Sequence, residues 1–317
     1  MKSSTPLRIV FMGTPEFAVG SLDAILQAGF EVVGVVTAPD RPAGRGRKVR
    51  LSAVKEYALQ HQLPVLQPEN LKDSSFLASL KELKANLQVV VAFRMLPKAV
   101  WNMPEFGTFN LHASLLPKYR GAAPINWAII RGETQTGVTT FFIDEKIDTG
   151  HIIAQKTEPI FETDNVGTLH DRLKTLGASL VVETCQRISE GNFSTTPQND
   201  AEQSSAPKIH KETCRIDWDQ PLVTIHNHIR GLSPYPGAWC VFENQGKTMD
   251  IKIFISEMEP IEDEILTGTL RISKKDMSVK VKGGYLRILE VQFPGKKRMK
   301  MDDLLRGLSV DENARLR

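Results

Sequence analysis

The chain has 317 residues, a formal net charge of +3 and three scattered cysteines. This length allows two ordinary domains, and 41% hydrophobic against 24% charged residues is typical of a globular protein. A charge this small does not by itself indicate nucleic-acid binding, so its distribution along the chain matters more. The cysteines lack paired spacing, which argues against a disulfide framework or a zinc site and predicts a reducing, cytoplasmic location.

The first apolar run, residues 7–13, predicts a buried β-strand that ends in a glycine turn, not a signal peptide, and no run reaches membrane-spanning length. A helix is expected to begin at Pro15 and stop at Gly29, before a second buried strand at 31–37. This strand–helix–strand unit predicts an α/β fold with a parallel-rich, Rossmann-like sheet. The turn has one glycine and lacks a dinucleotide fingerprint, so NAD and FAD are excluded as cofactors.

Residues 38–50 form a basic segment with five cations against one anion, a net charge of +4. Its prolines and glycines predict an irregular, mobile loop at the edge of the sheet where open α/β folds bind ligands. Arginine with little aromatic content suits contact with a phosphate backbone, and an ordinary solvated charged loop is the alternative. The cations are Arg41, Arg45, Arg47, Lys48 and Arg50, and the anion is Asp40.

Periodicity predicts further elements up to residue 190. Helices are expected at 52–60, 76–83, 125–130 and 168–190, and strands at 87–93, 108–112, 137–144 and 152–160.

The composition changes after residue 190. Residues 191–207 are polar and poor in aliphatic side chains, which indicates a linker. Short strand-like segments then recur at close intervals and predict a small β-barrel of the oligonucleotide-binding (OB) type, with a second basic cluster at 296–300 near its end. The expected division is a catalytic domain at 1–190, a linker at 191–207 and a C-terminal barrel at 208–317.

Residues 107–124, together with Asp148, are the strongest candidate for a site. Because strand side chains alternate, Asn110 and His112 share one face at the strand end, before the apolar loop 115–117. An amide donor, an imidazole and a hydrophobic wall at one strand-to-loop junction suggest carbonyl chemistry. The alternative is a buried Asn–His pair whose members merely hydrogen-bond each other.

The sequence resembles the formyltetrahydrofolate-dependent formyltransferases over essentially its full length. The resemblance rests on Asn110-Leu111-His112, the SLLP loop at 114–117, RGAAP at 120–124 and Asp148-Thr149-Gly150. GTPEF at 13–17, DRPAGRG at 40–46 and Ile216-Asp217-Trp218 make it most similar to the members that act on methionine carried by initiator tRNA.

The resemblance implies that the formyl group of 10-formyltetrahydrofolate passes to the α-amino group of methionine esterified to initiator tRNA. It also implies a C-terminal barrel that holds the tRNA stem; we expect a monomer, without a metal or a membrane partner. The implied site residues are Asn110, His112 and Asp148 for catalysis, Ser114, Leu115, Leu116 and Pro117 for the folate, and Arg41, Arg45, Arg47 and Lys48 for tRNA.

These side chains suit that chemistry. A free α-amino group has a pKa of about 7.7–8.0, so neutral amine is available near neutrality. Asn110 and a protonated His112 can donate to the oxygen of the tetrahedral adduct, while Asp148 can hold the imidazolium and accept the proton leaving the amine. No covalent enzyme intermediate is needed, and Ser114 lacks an evident base, so it is expected to bind ligand and not to act as a nucleophile.

One stretch departs from the family pattern, and two rival functions stay open. Many relatives have Tyr-Gly where this chain has Phe93-Arg94-Met95, so no cofactor-binding role is assigned to Phe93 or Arg94. The nearest rival is a formyltransferase for an amino-sugar nucleotide, which would not need the basic segment. The other is a non-catalytic RNA-binding protein, against which the three candidate catalytic residues argue.

Overall fold

The computed structural model describes residues 6–43, 48–261 and 265–317. The chain divides into two compact units, each assembled from three segments. The N-terminal unit consists of Met1–Gly121, Thr136–Pro159 and His170–Ala206; the C-terminal unit consists of Ala122–Gln135, Ile160–Leu169 and Pro207–Arg317.

The strands of the N-terminal unit arise mostly from the apolar runs of the sequence. Strands β1, β6 and β7 are buried almost throughout, as expected for a sheet covered on both faces. The strands are β1 (Arg8–Gly13), β2 (Glu31–Val36), β3 (Arg41–Ala43), β4 (Lys48–Arg50), β5 (Val65–Leu66), β6 (Leu87–Val91), β7 (Thr108–His112), β8 (Arg120–Gly121), β9 (Gln135–Phe142), β10 (Ile152–Pro159) and β11 (Ser205–Ala206).

Seven of these strands form the main sheet, in the order β10-β9-β7-β6-β1-β2-β5. Strands β7, β6, β1, β2 and β5 pair in parallel, and β9 pairs antiparallel with β7. The parallel-rich, Rossmann-like sheet predicted from the sequence is therefore confirmed. The carboxyl end of β7 lies where the sheet changes from parallel to antiparallel pairing.

Local signals in the sequence set the helix ends. The Ser52 hydroxyl accepts from the backbone N–H of Lys55 and the Asp73 carboxylate accepts from two backbone N–H groups, so both cap the helices that follow. None of the helices in the described ranges is long and apolar enough to cross a bilayer. The helices up to residue 190 are α1 (Glu16–Gln27), α2 (Ala53–Gln60), α3 (Ser74–Glu82), α4 (Lys98–Trp101), α5 (Pro124–Ile130) and α6 (Val166–Ser189).

The C-terminal unit contains the predicted small barrel-like, OB-like antiparallel sheet, whose strand order is β14-β15-β16-β13-β12-β18, with β17 paired to β16. Helix α7 contributes Leu222, Ile225, Ile229 and Leu232, at helical spacing, to the core of this unit. Its elements are α7 (Leu222–Leu232), β12 (Ala238–Asn244), β13 (Lys247–Pro260), β14 (Leu270–Ile272), β15 (Met277–Val281), β16 (Gly284–Gln292), β17 (Met299–Lys300), α8 (Met301–Leu305) and β18 (Arg315–Leu316).

Two local expectations were wrong. The described ends of the basic segment are not irregular, because β3 and β4 pair antiparallel, with Arg41 opposite Arg50 and Pro42 opposite Val49. Proline lacks the backbone N–H donor, so it is tolerated in an edge strand, which pairs with another strand on one side only. In addition, Pro15 is the extended N-cap of α1, and the helix begins one residue later.

Candidate active site

Strand β7 carries two of the predicted catalytic side chains at its carboxyl end. Asn110 and His112 lie on one face of the strand by alternation, while Phe109 and Leu111 on the other face are buried in the core. Neighbouring strands hold β7 on both sides, since Asn110 is opposite Val90 of β6 and Phe141 of β9. The packed face therefore fixes where the polar face points.

His112 presents a single ring nitrogen to the neighbouring carboxylate. Its Nε2 atom lies 2.8 Å from the carbonyl oxygen of Tyr119, and because a carbonyl oxygen only accepts, Nε2 carries a proton. Its Nδ1 atom lies 3.8 Å from Oδ2 of Asp148. The His112 side chain is only 7% exposed, so charge at this position is poorly screened by water.

Asp148 lies in the loop between β9 and β10 and has the left-handed backbone conformation, with φ +55°. Its Oδ2 atom accepts a 2.9 Å hydrogen bond from the backbone N–H of Gly121. Earlier in the loop, the Asp144 carboxylate accepts from the backbone N–H of Lys146 and the hydroxyl of Thr149. These bonds fix both the shape of the loop and the direction of the Asp148 carboxylate.

The side-chain amide of Asn110 is half-buried and has no hydrogen-bond partner in the part of the chain that the structure describes. Within the same residues, His112 bonds to Tyr119 and faces Asp148, and no hydrogen bond joins it to Asn110. A half-buried amide without a partner is an available donor for a ligand oxygen.

The predicted folate loop, Ser114 to Pro117, is braced by its own hydrogen bonds. The fully buried hydroxyl of Ser114 donates to the carbonyl of Lys118 at 2.6 Å, so it is occupied within the loop. Thr139 of β9 donates to the Ser114 carbonyl and accepts from the N–H of Leu116. Leu116 is buried, whereas Leu115 and Pro117 are partly exposed and offer apolar surface.

Two of the four predicted tRNA residues lie on the β3–β4 hairpin, the antiparallel pair formed by residues 41–43 and 48–50. Arg41 is exposed in β3 and Lys48 belongs to β4, while Arg45 and Arg47 lie outside the described residues. Asp40, directly before β3, accepts from the ammonium of Lys55 at 2.5 Å and from the amide of Gln67 at 2.8 Å. The hydrogen bond from Lys55 keeps the pKa of Asp40 below its ordinary value.

Several residues that meet the site come from the predicted linker and were missed in the sequence. Gln198 donates to the backbone carbonyls of Asp148 and Gly150, and the Ser204 hydroxyl accepts from the N–H of Tyr119. The polar composition of 191–207 gave no sign of these contacts, because composition does not report partners that lie 48 to 85 residues away.

A separate cleft of about 600 Å³ in the same unit includes Arg94, Lys98 and Glu145 in its walls, and none of the three candidate catalytic residues. The Arg94 guanidinium donates to the backbone carbonyls of Pro68 and Glu69, and burial lowers its pKa. The residue that departs from the family pattern therefore holds neighbouring backbone in place.

The fold and these side chains define an α/β enzyme of the group-transfer class. A sequence model described as formyl transferase matches residues 7–185, and a second, described as formyl transferase C-terminal domain, matches residues 208–309. The chain belongs to the formyl transferase family and is a formyltransferase.

Relatives of known name resemble the whole chain. Proteins named methionyl-tRNA formyltransferase are 56% identical in Flavobacterium psychrophilum, over 97% of this chain and 98% of theirs, and 55% identical in Bacteroides fragilis, over 96% of both. A sugar 3N-formyl transferase solved with dTDP and 5-N-formyl-THF shares the fold, with a TM-score of 0.65 at 22% identity over 92% of this chain and 99% of that one. HypX from Aquifex aeolicus, solved with tetrahydrofolic acid, has a TM-score of 0.63 at 19% identity over 97% of this chain and 49% of that one.

Proposed function

We propose that this chain transfers the formyl group of 10-formyltetrahydrofolate to the α-amino group of methionine esterified to initiator tRNA. The proposal is carried by the 3.8 Å approach of His112 Nδ1 to Asp148 Oδ2, at the end of the strand that also bears Asn110, whose amide has no partner among the described residues. The full-length relatives named methionyl-tRNA formyltransferase support the choice of methionine on tRNA as the acceptor.

The folate supplies an activated formyl group, and the apolar surface of Leu115 and Pro117 beside β7 suits its ring system. In the transfer, one C–N bond forms to the amine nitrogen, the C–N bond to the folate breaks, and the amine proton ends on the folate nitrogen. Asn110 donates to the formyl oxygen as negative charge develops on it.

His112 and Asp148 together carry out the proton transfers. The Nε2 atom of His112 is bound to Tyr119, so Nδ1 is the atom that donates to the charged oxygen when the ring is protonated. Asp148 stabilises that imidazolium and accepts the amine proton, directly or through water. Its Oδ2 atom is held by Gly121, and Oδ1 has no partner among the described residues.

We assign the roles of the domains and of the basic segment from the resemblance of the sequence to the formyltransferases. Residues 1–190 are assigned to the catalytic domain, 191–207 to the connection and 208–317 to the barrel that holds the tRNA stem. In the structure, Ala122–Gln135 and Ile160–Leu169 group with the C-terminal unit, and the connection groups with the N-terminal unit as far as Ala206. The basic segment 38–50, with Arg41, Arg45, Arg47 and Lys48, meets the acceptor end. The protein works as a cytoplasmic monomer.

A single-turnover assay tests the proposal with charged initiator tRNA, and with an amino-sugar nucleotide as the competing acceptor. We expect Asn110→Ala to slow transfer to tRNA by about 10²–10³-fold, the usual loss when one oxyanion donor is removed. Asp148→Asn keeps the shape of the side chain but not the base, and should also be severely impaired.

The control is Asn192→Ala, which removes an exposed amide of the same unit and should leave the rate unchanged. Transfer to the sugar nucleotide alone would overturn the choice of acceptor. Binding of tRNA without any turnover would indicate a non-catalytic RNA-binding protein.

A further inference from the structure

The side chain of Gln198 connects the candidate active-site loop to an arginine. Its Nε2 atom donates to the carbonyl oxygens of Asp148, at 2.9 Å, and Gly150, at 2.8 Å. Its Oε1 atom accepts from Nε of Arg120, at 3.1 Å, and from Nη2 of the same residue, at 2.7 Å. Both donors of the amide, and both lone pairs of its oxygen, are used.

The chemistry of these partners determines the orientation of the amide. Backbone carbonyls only accept and a guanidinium only donates, so a flipped amide would set an oxygen against two carbonyl oxygens and an NH2 against N–H groups. Arg120 therefore selects the orientation in which Gln198 donates to the Asp148 loop.

The loop needs such a restraint at Asp148. Asp148 has the left-handed backbone conformation, which is strained for a residue with a side chain and persists only where the surrounding structure holds it. Gln198 binds the carbonyls of Asp148 and Gly150, which span the turn after the carboxylate. At Gly150 a Cβ atom would lie 1.7 Å from the carbonyl oxygen of Phe142, so the chain has little room to rearrange there.

The same segment also fixes the carboxylate. Ser204 accepts from the backbone N–H of Arg120, and β11 pairs in parallel with β8, which sets Gly121 opposite Ala206. The N–H of Gly121 then donates to Asp148 Oδ2. Gln198 holds the backbone of Asp148, and the pairing of β11 with β8 holds its carboxylate through Gly121.

We propose that Gln198, oriented by Arg120, is a positioning residue that keeps Asp148 at its distance from His112. This inference rests on the proposed function of Asp148 in proton transfer. Gln198 acts on the loop backbone, so its loss should change the chemical step and leave the binding of both substrates as it is.

The test measures kcat and the KM values for tRNA and folate in two variants. Gln198→Ala removes the restraint, and we expect kcat to fall roughly tenfold; Gln198→Glu keeps the bond to Arg120 but sets a carboxylate against the two carbonyls, and should lose up to about 100-fold. Both KM values should stay unchanged. If Gln198→Glu does not fold, Gln198→Ala carries the test alone.

The matched control is Gln203→Ala. Gln203 also accepts from Arg120, at 2.9 Å, but within the described residues it makes no hydrogen bond to the Asp148 loop, so its loss should leave kcat unchanged. A normal kcat in Gln198→Ala, with Asp148→Asn inactive, would overturn the positioning role alone. An active Asp148→Asn would overturn the proposed mechanism itself.

Discussion

At the scale of single residues, the catalytic proposal depends on which nitrogen of His112 is free. The carbonyl of Tyr119 occupies Nε2, and Tyr119 reaches it through a left-handed backbone conformation with φ +61°. Alternation along β7 predicts the face on which His112 lies, but not this bond, since the loop that carries Tyr119 has no period to analyse. The residue can therefore be predicted from the sequence, whereas the nitrogen atom available to a ligand is known only from the fold.

A second imidazole outside the site leads to a prediction about stability. His226 on α7 is partly buried, its Nδ1 lies 3.0 Å from the hydroxyl of Ser256, and burial lowers its pKa to about 4, with repulsion from Arg230 as a further cause. The unfolded chain takes up this proton near the ordinary value of about 6.5, and the folded chain does not. Stability is thus retained above pH 6.5 and lost as the pH falls toward 4, at up to about 1.4 kcal/mol per pH unit.

We expect the thermal unfolding midpoint of the native protein to fall more steeply over that pH range than that of His226→Gln. His61→Gln, which removes an exposed ring, serves as the control for the loss of a histidine. If the thermal unfolding midpoints of the native protein and of His226→Gln change in parallel with pH, the prediction is contradicted.

At the scale of elements, the sequence predicts what depends on near neighbours. The stop of the first helix at Gly29, with φ +80°, was expected from residue type and is confirmed, and the helix expected at 52–60 is present with Ser52 as its cap. The contact between Arg120 and Gln198 joins positions 78 residues apart, and no local pattern encodes it. The β3–β4 pairing was missed for a related reason. Proline and glycine indicate a turn, but they do not show whether the residues on either side of the turn pair as strands.

The base of the β3–β4 hairpin offers a test of tRNA recognition. Lys55 and Gln67 hold Asp40, and Asp40 directly precedes Arg41. Lys55→Met keeps the length of the side chain and removes the ion pair. We expect KM for tRNA to rise roughly tenfold, because the strand that carries Arg41 loses its charge-assisted attachment to Lys55.

In the same variant, kcat and KM for folate should not change, because the hairpin does not carry the catalytic residues. Lys174→Met is the control, since it removes an ion pair with Glu16 that does not involve the hairpin. An equal rise of both KM values in Lys55→Met would show that the ion pair between Lys55 and Asp40 supports the fold and not the RNA contact.

At the scale of the whole molecule, cations with similar positions in the sequence have different surroundings. In the basic cluster at 296–300, Arg298 is ion-paired with Glu290 and lies over the ring of Phe254, whereas Lys296 and Lys297 are exposed. A count of charged residues along the sequence does not distinguish the ion-paired arginine from the exposed lysines. Only a side chain that can replace counterions on a phosphate backbone adds to the salt dependence of binding.

The salt dependence of tRNA binding can therefore separate these charges. The logarithm of the affinity for tRNA should fall linearly with the logarithm of the salt concentration. Lys297→Ala should reduce that slope by about one, as expected for the loss of one phosphate contact. Arg298→Ala should leave the slope unchanged, because Glu290 already neutralises that charge and its loss removes no phosphate contact. The measurement is a binding titration at several salt concentrations, and equal slopes for the native protein and Lys297→Ala would show that this cluster is ordinary solvated surface.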